Sequence, residues 1–278
     1  MTGSALGGKM IRSRLRKFAI VAGAGAVATV GTLALSPFSA SAVDVPATTT
    51  TVVGPTTLTT GHAATFTATI APSKTTTIPV VKATGTVTFT ITGSDATTVN
   101  CTNIPALSGK GRSTCKVAAG GLLSAASPYS VTAAYSGDGG TNFGPSSDTI
   151  SQAVTAATAH VKLTVDAKPI SGSASTFTAT VTGRGGALPT GLVEFLVASD
   201  GTTAKKTCAN SAKFNTEILS PNSGTPPVAQ AVCSLPAGWL KTASSSDPHP
   251  SWTVVAQYQG DGNFQFGATA TMTGTAKS

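Results

Sequence analysis

The stretch Tyr129-Ser-Val-Thr-Ala-Ala-Tyr135-Ser-Gly-Asp138-Gly139 decides the fold, because the chain contains it twice. The second copy reads Trp252-Thr-Val-Val-Ala-Gln-Tyr258-Gln-Gly-Asp261-Gly-Asn263-Phe264. In both copies apolar residues occupy every second position, a period that predicts a half-buried β-strand, and the Gly-Asp-Gly that follows predicts a turn. A strand followed by the same turn in two places indicates a duplicated β-domain.

Other predicted strands recur in the same order. The alternating segments 65–70 and 85–91 of the first half return as 176–181 and 191–197 in the second. Each repeat therefore offers about seven short strands separated by turn residues, the pattern of two antiparallel sheets packed over one core. We predict an all-β chain of two tandem immunoglobulin-like β-sandwich domains, covering residues 43–156 and 157–278.

The first 42 residues have the pattern of a secretory signal peptide. Basic residues end at Lys17, an apolar run covers residues 18–35, and Ala40-Ser41-Ala42 supplies a cleavage site. The alternative is an uncleaved membrane anchor, since the apolar run is about as long as the shortest membrane spans. We expect cleavage, no membrane span afterwards, and a secreted or cell-wall-associated protein.

The formal charge of +8 does not predict a nucleic-acid partner. Five basic residues lie in the first 42 residues, which contain no acid, so 13 basic and 10 acidic residues remain. These are scattered and form no basic stripe that could follow a phosphate backbone.

Four cysteines in an exported chain favour disulfides. The sequence permits three connectivities, of which Cys101–Cys115 with Cys208–Cys233 places one pair in each repeat. The spacings of these cysteines do not match those of zinc sites, which need two close pairs.

Several of these segments resemble a group of bacterial Ig-like repeats that run from P-T-G-x-V-x-F to Y-x-G-D-x-N-F. The matching segments of this chain are Gly85-Thr-Val-Thr-Phe89, Tyr135-Ser-Gly-Asp138, Pro189-Thr-Gly-Leu-Val-Glu-Phe195 and Tyr258-Gln-Gly-Asp-Gly-Asn-Phe264. The signal region is similar to those of actinobacterial exported proteins. The resemblance implies a module of a surface or secreted protein, such as a stalk, an adhesin or an appendage to an enzyme that acts on polysaccharides. This chain departs from the group in its cysteine pairs.

Catalytic residues are scarce. The histidines are His62, His160 and His249, and the only glutamates are Glu194 and Glu217. Neither a G-x-S-x-G elbow nor a repeated histidine is present, and Glu194 falls at a solvated strand position. We therefore predict no enzymatic activity and no cofactor.

Asp138 and Asp261 are the one repeated acidic feature. They could bind calcium together with Asn142 and Asn263, but calcium requires six to eight oxygen ligands. We favour the alternative that each aspartate caps its own turn.

Two tryptophans have different predicted roles. Trp252 aligns with Tyr129 on the inward face and should lie in the core, whereas Trp239 aligns with Gly121. Trp239 could therefore be a partly exposed ligand contact, or it could pack locally over the second repeat's longer loop, residues 220–227.

These observations predict a non-enzymatic binding, adhesion or spacer module, monomeric, whose partner is a cell-envelope component, a polysaccharide or another surface protein. The alternative is a carbohydrate-binding accessory protein that uses Trp239 and the 220–227 loop.

Overall fold

The structure is a computed structural model. It describes residues 47–275 apart from 73–82, 104, 140–142, 167–168, 171, 200–207, 209–215, 223–227 and 241–250. The predicted signal peptide, residues 1–42, lies outside the described residues. Within the described ranges, no helix is long and apolar enough to cross a membrane.

Threonine alternates with apolar residues along the first half (residues 47–155), and β-branched residues of this kind favour strands. The strands form two antiparallel sheets, in the orders β1-β2-β5 and β4-β3-β6-β7. The elements are β1 (Thr48–Val53), β2 (Ala64–Pro72), β3 (Val87–Thr92), β4 (Thr98–Val99), β5 (Arg112–Val117), the 3₁₀ turn η1 (Ser124–Ala126), β6 (Tyr129–Tyr135) and β7 (Ser146–Gln152).

The second half (residues 157–275) repeats this arrangement. Its sheets have the orders β12-β13-β9-β8 and β11-β10-β14-β15, again antiparallel. The strands are β8 (His160–Val165), β9 (Ser175–Thr182), β10 (Leu192–Ser199), β11 (Thr216–Ile218), β12 (Ser220–Asn222), β13 (Val228–Leu235), β14 (Ser251–Tyr258) and β15 (Thr269–Thr275).

These orders are those of an immunoglobulin-like sandwich. In the first half β1, β2 and β5 take the places of strands A, B and E, and β4, β3, β6 and β7 take those of C′, C, F and G. The second half adds β12 in the place of strand D. The predicted all-β sandwich fold is confirmed.

Each half has its own hydrophobic core, built from the inward side chains of the alternating strands. Phe66 and Ala68 of β2 are fully buried, as are their counterparts Phe177 and Ala179 of β9. One core draws its buried residues from 52–154 and the other from 157–264. The two halves nevertheless belong to one compact unit.

The first cysteine pair does not join the two strands of a hairpin. Strand β4, just before Cys101, pairs with β3 in the opposite sheet from β5. The chain then crosses over and runs beside β5, where the Thr102 N–H donates to the Lys116 carbonyl (2.6 Å) and the Asn103 amide donates to the Thr114 carbonyl (2.8 Å). Cys101 therefore reaches Cys115 from an irregular segment and not from a neighbouring strand.

Candidate functional site

The turn after β14 is organised by the carboxylate of Asp261. Its Oδ1 accepts the backbone N–H groups of Asn263 and Phe264, both at 2.7 Å. Its Oδ2 accepts the N–H and the hydroxyl of Thr190, at 2.8 and 2.7 Å. Burial raises the pKa of Asp261, but these hydrogen bonds outweigh it and hold the pKa below its usual value. The carboxylate thus ties the turn to itself and to the residues before β10.

Asp138 has the corresponding place in the first half. The Phe143 N–H donates to Asp138 Oδ1 and the Asp138 N–H donates to the Phe143 carbonyl, both at 3.1 Å. In the second half the Asp261 N–H likewise donates to the Phe264 carbonyl, at 3.0 Å. In the described part of the chain, no three His, Cys, Asp or Glu side chains converge as metal ligands. The arrangement favours turn capping over calcium binding; Asn142 lies outside the described residues.

A buried tyrosine also contacts Thr190, the residue to which the Asp261 carboxylate is hydrogen-bonded. The Tyr258 hydroxyl donates to the Thr190 carbonyl at 2.8 Å, and the residue is fully buried. Burial and the nearby Asp261 charge raise the pKa of Tyr258. In the first half, the Tyr135 hydroxyl donates to the Thr84 carbonyl in the same way.

The Asp261 turn makes direct hydrogen bonds to the first half. The Ser124 hydroxyl donates to the Gly262 carbonyl at 2.7 Å, and the Ala125 N–H donates to Asn263 Oδ1 at 3.1 Å. Both first-half donors belong to η1. The Ser124 N–H also donates to the hydroxyl of buried Thr60, at 2.9 Å, which fixes η1 against the loop before β2.

A second set of contacts is made by backbone alone. The peptide of Arg184 and Gly185, in the loop between β9 and β10, lies between Gly61 and Gly120 of the first half. A Cβ on Gly61 would overlap the Arg184 carbonyl, one on Gly120 the Gly185 carbonyl, and one on Gly185 the Gly61 carbonyl. All three glycines have positive φ. At the rim of this contact Arg184 Nη1 donates to His62 Nε2, at 2.7 Å.

The linker between the halves is hydrogen-bonded on both sides. The Thr155 N–H donates to the Leu58 carbonyl and the Thr60 N–H donates to the Thr155 carbonyl, each at 2.9 Å. Ala157 then donates to the Asn263 carbonyl (3.0 Å) and accepts from the Gln265 N–H (2.8 Å). We call these three sets of contacts the joint.

Most residues of the joint belong to no motif of the sequence. The Asp261 turn is predicted by its Gly-Asp-Gly, but His62, Ser124, Thr60 and the Arg184–Gly185 loop carry no motif. The one available signal was the glycine-rich segment 183–186. That composition predicts a turn without indicating what the turn contacts.

Both predicted cysteine pairs are bonded, Cys101 to Cys115 and Cys208 to Cys233. Cys115 and Cys233 lie on the equivalent strands β5 and β13, and both are fully buried. Each disulfide therefore anchors its other cysteine, Cys101 or Cys208, to the core of its own half.

The two tryptophans lie in different surroundings. Trp252 is buried and meets Phe177 edge to face, with ring centroids 5.5 Å apart. Trp239 is half-buried and packs against the second core. Of the 220–227 loop, residues 220–222 form strand β12 beside β13 and residues 223–227 lie outside the described residues.

The other candidate residues are dispersed. His160 is exposed at the start of β8, and Glu194 on β10 is half-buried and accepts the Gln259 amide at 3.3 Å. His249 and the side chain of Glu217 lie outside the described residues. The described parts of these residues do not assemble into a catalytic group.

An open groove of about 750 Å³ lies between the end of β1 and the end of β7, next to the joint. Its lining mixes apolar side chains such as Val53 and Ile150 with the hydroxyls of Thr57, Ser151 and Thr155. The lining contains no charged residue, so the groove offers hydrogen bonds and apolar contacts only.

No known protein family and no curated protein matches the chain. Among solved structures, it is similar to a tetra-tandem repeat in the extending region of a large adhesion protein, with 18% identity and a TM-score of 0.37 over 84% of this chain and 49% of that one. It is also similar to a DUF4785 family protein from Legionella pneumophila, with 10% identity and a TM-score of 0.32 over 80% of this chain and 54% of that one. The chain thus spans about half the length of each.

Proposed function

We propose that the chain is an exported, non-enzymatic spacer or adhesion module in which two Ig-like repeats act as one stiff unit. The observation that carries this proposal is the joint. Domains connected by a short linker ordinarily move relative to each other unless their interface is substantial. In this chain the interface combines close backbone packing, side-chain hydrogen bonds and a linker that is bonded on both sides.

The geometry of the joint resists both bending and twisting. The Arg184–Gly185 peptide fits between Gly61 and Gly120 with no room for even a Cβ atom, so a tilt in either direction produces overlap. The hydrogen bonds of Ser124 and Ala157 lie on other parts of the same interface and oppose rotation. A unit of this kind can hold a binding partner at a set distance from the surface that carries it.

Export is supported by two independent features. The N-terminal sequence has the pattern of a secretory signal, and disulfides such as Cys101–Cys115 persist mainly in oxidising compartments.

Beyond residue 42 the numbers of basic and acidic residues are nearly equal. Recognition of a cell-envelope component, a polysaccharide or a surface protein would therefore use loops and strand edges. Sedimentation of the chain from Val43 onward with isolated cell envelopes tests this; protein that stays in the supernatant contradicts envelope binding.

Substitution of two adjacent glycines with positive φ tests whether the two halves form a stiff unit. Gly185→Ala places a methyl group on the Gly61 carbonyl, whereas Gly186→Ala, with the same unfavourable sign of φ, projects into open space among the described residues. Small-angle X-ray scattering of the chain from Val43 should give a single well-defined maximum dimension. Gly185→Ala should broaden the distance distribution and Gly186→Ala should not.

Flexible scattering from the unsubstituted chain would contradict the spacer proposal. Equal broadening by both substitutions would mean that backbone strain, and not contact with the first half, is responsible.

A further inference from the structure

The groove beside the joint is a gap between two strands that run in the same direction. Strands β1 and β7 belong to different sheets, and their contacts keep a constant separation of 96 positions. One contact joins Val52 to Asp148, and the next joins Thr59 to Thr155, where the two segments form a parallel bridge. Between these two contacts no hydrogen bond joins residues 53–57 to residues 149–154, all of which are described.

The edge of β7 presents unpaired backbone groups to this gap. The N–H groups of Val52 and Thr149 both donate to the carboxylate of Asp148, at 2.7 and 2.9 Å. The backbone of Thr149 therefore faces the gap and not β6. Successive residues of a strand direct their backbone groups to alternate sides, so Ser151 also turns its N–H and C=O to the gap. Neither group has a hydrogen-bond partner among the described residues.

A buried amide forms the floor of the groove. Gln152 is only 6% exposed, and its Nε2 donates to the carbonyl of the adjacent Ala153, at 3.0 Å. Its Oε1 lies against Gly54, where a Cβ atom would overlap it, and accepts no hydrogen bond from a described residue. A buried carbonyl oxygen without a donor is unfavourable. This atom therefore favours a ligand that brings an N–H or O–H group into the groove.

The second half shows that the fold does not require these residues. Strand register gives the equivalent positions, at which Val165 replaces Gly54, Gly274 replaces Gln152 and Ala270 replaces Asp148. The same sandwich thus forms without the glycine, the amide and the carboxylate. Their occurrence together at the groove of the first half favours a binding role.

The lining indicates the chemical class of the ligand. All thirteen lining residues are described, and none of them is charged or aromatic. A charged ligand would form no ion pair there, and a sugar ring would find no aromatic side chain on which to stack. Val53 is 54% exposed and lies in the groove with Ile150, so apolar contacts are available beside the free backbone of Ser151. An extended peptide uses both, because it pairs with a strand edge through its backbone and contacts apolar residues through alternate side chains.

We propose that the groove binds a short, uncharged segment of another protein in extended conformation, which pairs with Ser151 and donates a hydrogen bond to Gln152 Oε1. The segment is short because Asp148 closes one end of the free edge and the bond between Thr155 and Leu58 closes the other. The six residues 149–154 span about 20 Å. The proposal rests on the adhesion part of the proposed function and names its partner. Its test uses neither cell envelopes nor scattering, so either proposal can fail without the other.

The probe is the blocked pentapeptide acetyl-Thr-Val-Thr-Val-Thr-amide, which is uncharged and consists of strand-forming residues. It is titrated to millimolar concentration into the ¹⁵N-labelled chain that begins at Val43. In amide NMR spectra the signals of Ser151 and Ala153 should shift in a saturable way. The same peptide with every backbone nitrogen methylated keeps its side chains but has no N–H to donate, and it should not shift these signals.

Ser151→Pro removes one N–H from the groove, and an edge strand tolerates proline where that N–H faces outward. This substitution should raise the Kd of the pentapeptide about fivefold to tenfold, the effect of losing one hydrogen bond. Gln152→Met, which removes the Oε1 acceptor at similar side-chain length, should act in the same direction. Thr273→Pro is the matched control, because Thr273 has the position equivalent to Ser151 on β15 and does not line the groove. It should leave the Kd unchanged.

The proposal is wrong if the pentapeptide causes no shifts at Ser151 and Ala153, or if its methylated form causes equal ones. Shifts of the same signals by cellopentaose would also overturn it, since the ligand would then be a sugar. Equal losses of affinity in Ser151→Pro and Thr273→Pro would show that proline acts through the fold and not through the groove. The methylated peptide requires no substitution in the protein, so its comparison remains decisive even where Ser151→Pro fails to fold.

Discussion

The Ser124 hydroxyl of the first half donates to the Gly262 carbonyl of the second half at 2.7 Å, across 138 positions of sequence. One residue further along on each side, the Ala125 N–H donates to Asn263 Oδ1. Two consecutive residues of η1 are thus matched to two consecutive residues of the Asp261 turn. The turn η1 of the first half and the Asp261 turn of the second half therefore contact each other. The turn that is duplicated in the sequence thus also forms part of the interface between the halves.

Loss of either bond should weaken the joint. We expect Ser124→Ala and Asn263→Ala each to lower the free energy of unfolding by about 0.5–1.5 kcal/mol, the usual net contribution of one hydrogen bond. Urea unfolding of the single and double variants measures this. Thr158→Ala is the control, since its exposed contact with Gln265 is long, at 3.4 Å, and its loss should change little. An effect of the control as large as those of the joint variants would contradict the assigned role.

Asp261→Asn should destabilise the protein by about 1–3 kcal/mol at neutral pH, because an amide cannot accept all four donors that face the carboxylate. The pKa of Asp261 is lowered from 3.8 in the folded protein. Its contribution is therefore fully present above that value and is lost as the pH falls through the folded-state pKa. Urea unfolding as a function of pH should show the difference between wild type and Asp261→Asn shrinking in acid. A difference that stays constant at all pH values would contradict the role of the carboxylate.

Calcium should have no effect on stability. The oxygens of Asp261 already accept N–H and O–H donors, and a cation would have to displace them. Melting temperatures with excess calcium and with a chelator should agree. An increase with calcium that disappears in Asp261→Ala would show instead that the turn binds the ion.

The strands were predictable from sequence because one physical rule governs them. Residues such as Phe66 and Ala68 alternate with threonine, and alternation places one set of side chains in the core. Because the sequence is duplicated, the pattern of each strand occurs twice and can be compared between the halves. The alignment of Trp252 with Tyr129 correctly placed the indole in the core.

The joint was not predictable in the same way, because its contacts depend on no periodic pattern. The Ser124 hydroxyl donates to a backbone carbonyl. Serine is a common residue and every residue has a backbone carbonyl, so the sequence does not mark this contact. Gly61 and Gly185 have positive φ, so their local turns already account for glycine and conceal the close approach between them. The path of the chain at Cys101 was also not predictable, since a segment that crosses between sheets does not change the periodicity of the strands.

The tyrosines predict an alkaline unfolding transition. The pKa values of Tyr129, Tyr135 and Tyr258 are all raised from 10.0, with burial as the largest cause. The stability that they contribute is fully present below pH 10 and is lost as the pH rises above it, because the unfolded chain ionises first. Tyrosinate absorbance and near-UV circular dichroism should therefore change together. Three tyrosines that titrate near pH 10 while the dichroism stays native would contradict this burial.

The two disulfides should stabilise the protein to similar extents, with a small excess for the longer loop. Replacing Cys101 and Cys115 by alanine should cost about 3 kcal/mol on the chain-entropy account. The separations are 14 and 25 residues, so the corresponding loss for Cys208 and Cys233 should be larger by about 0.5 kcal/mol. Guanidinium unfolding of the two double variants under oxidising conditions measures both losses. The wild type under reducing conditions is the matched control, and its loss should be at least as large as either. Unfolding at the wild-type denaturant concentration in either double variant would show that its disulfide constrains nothing in the unfolded chain.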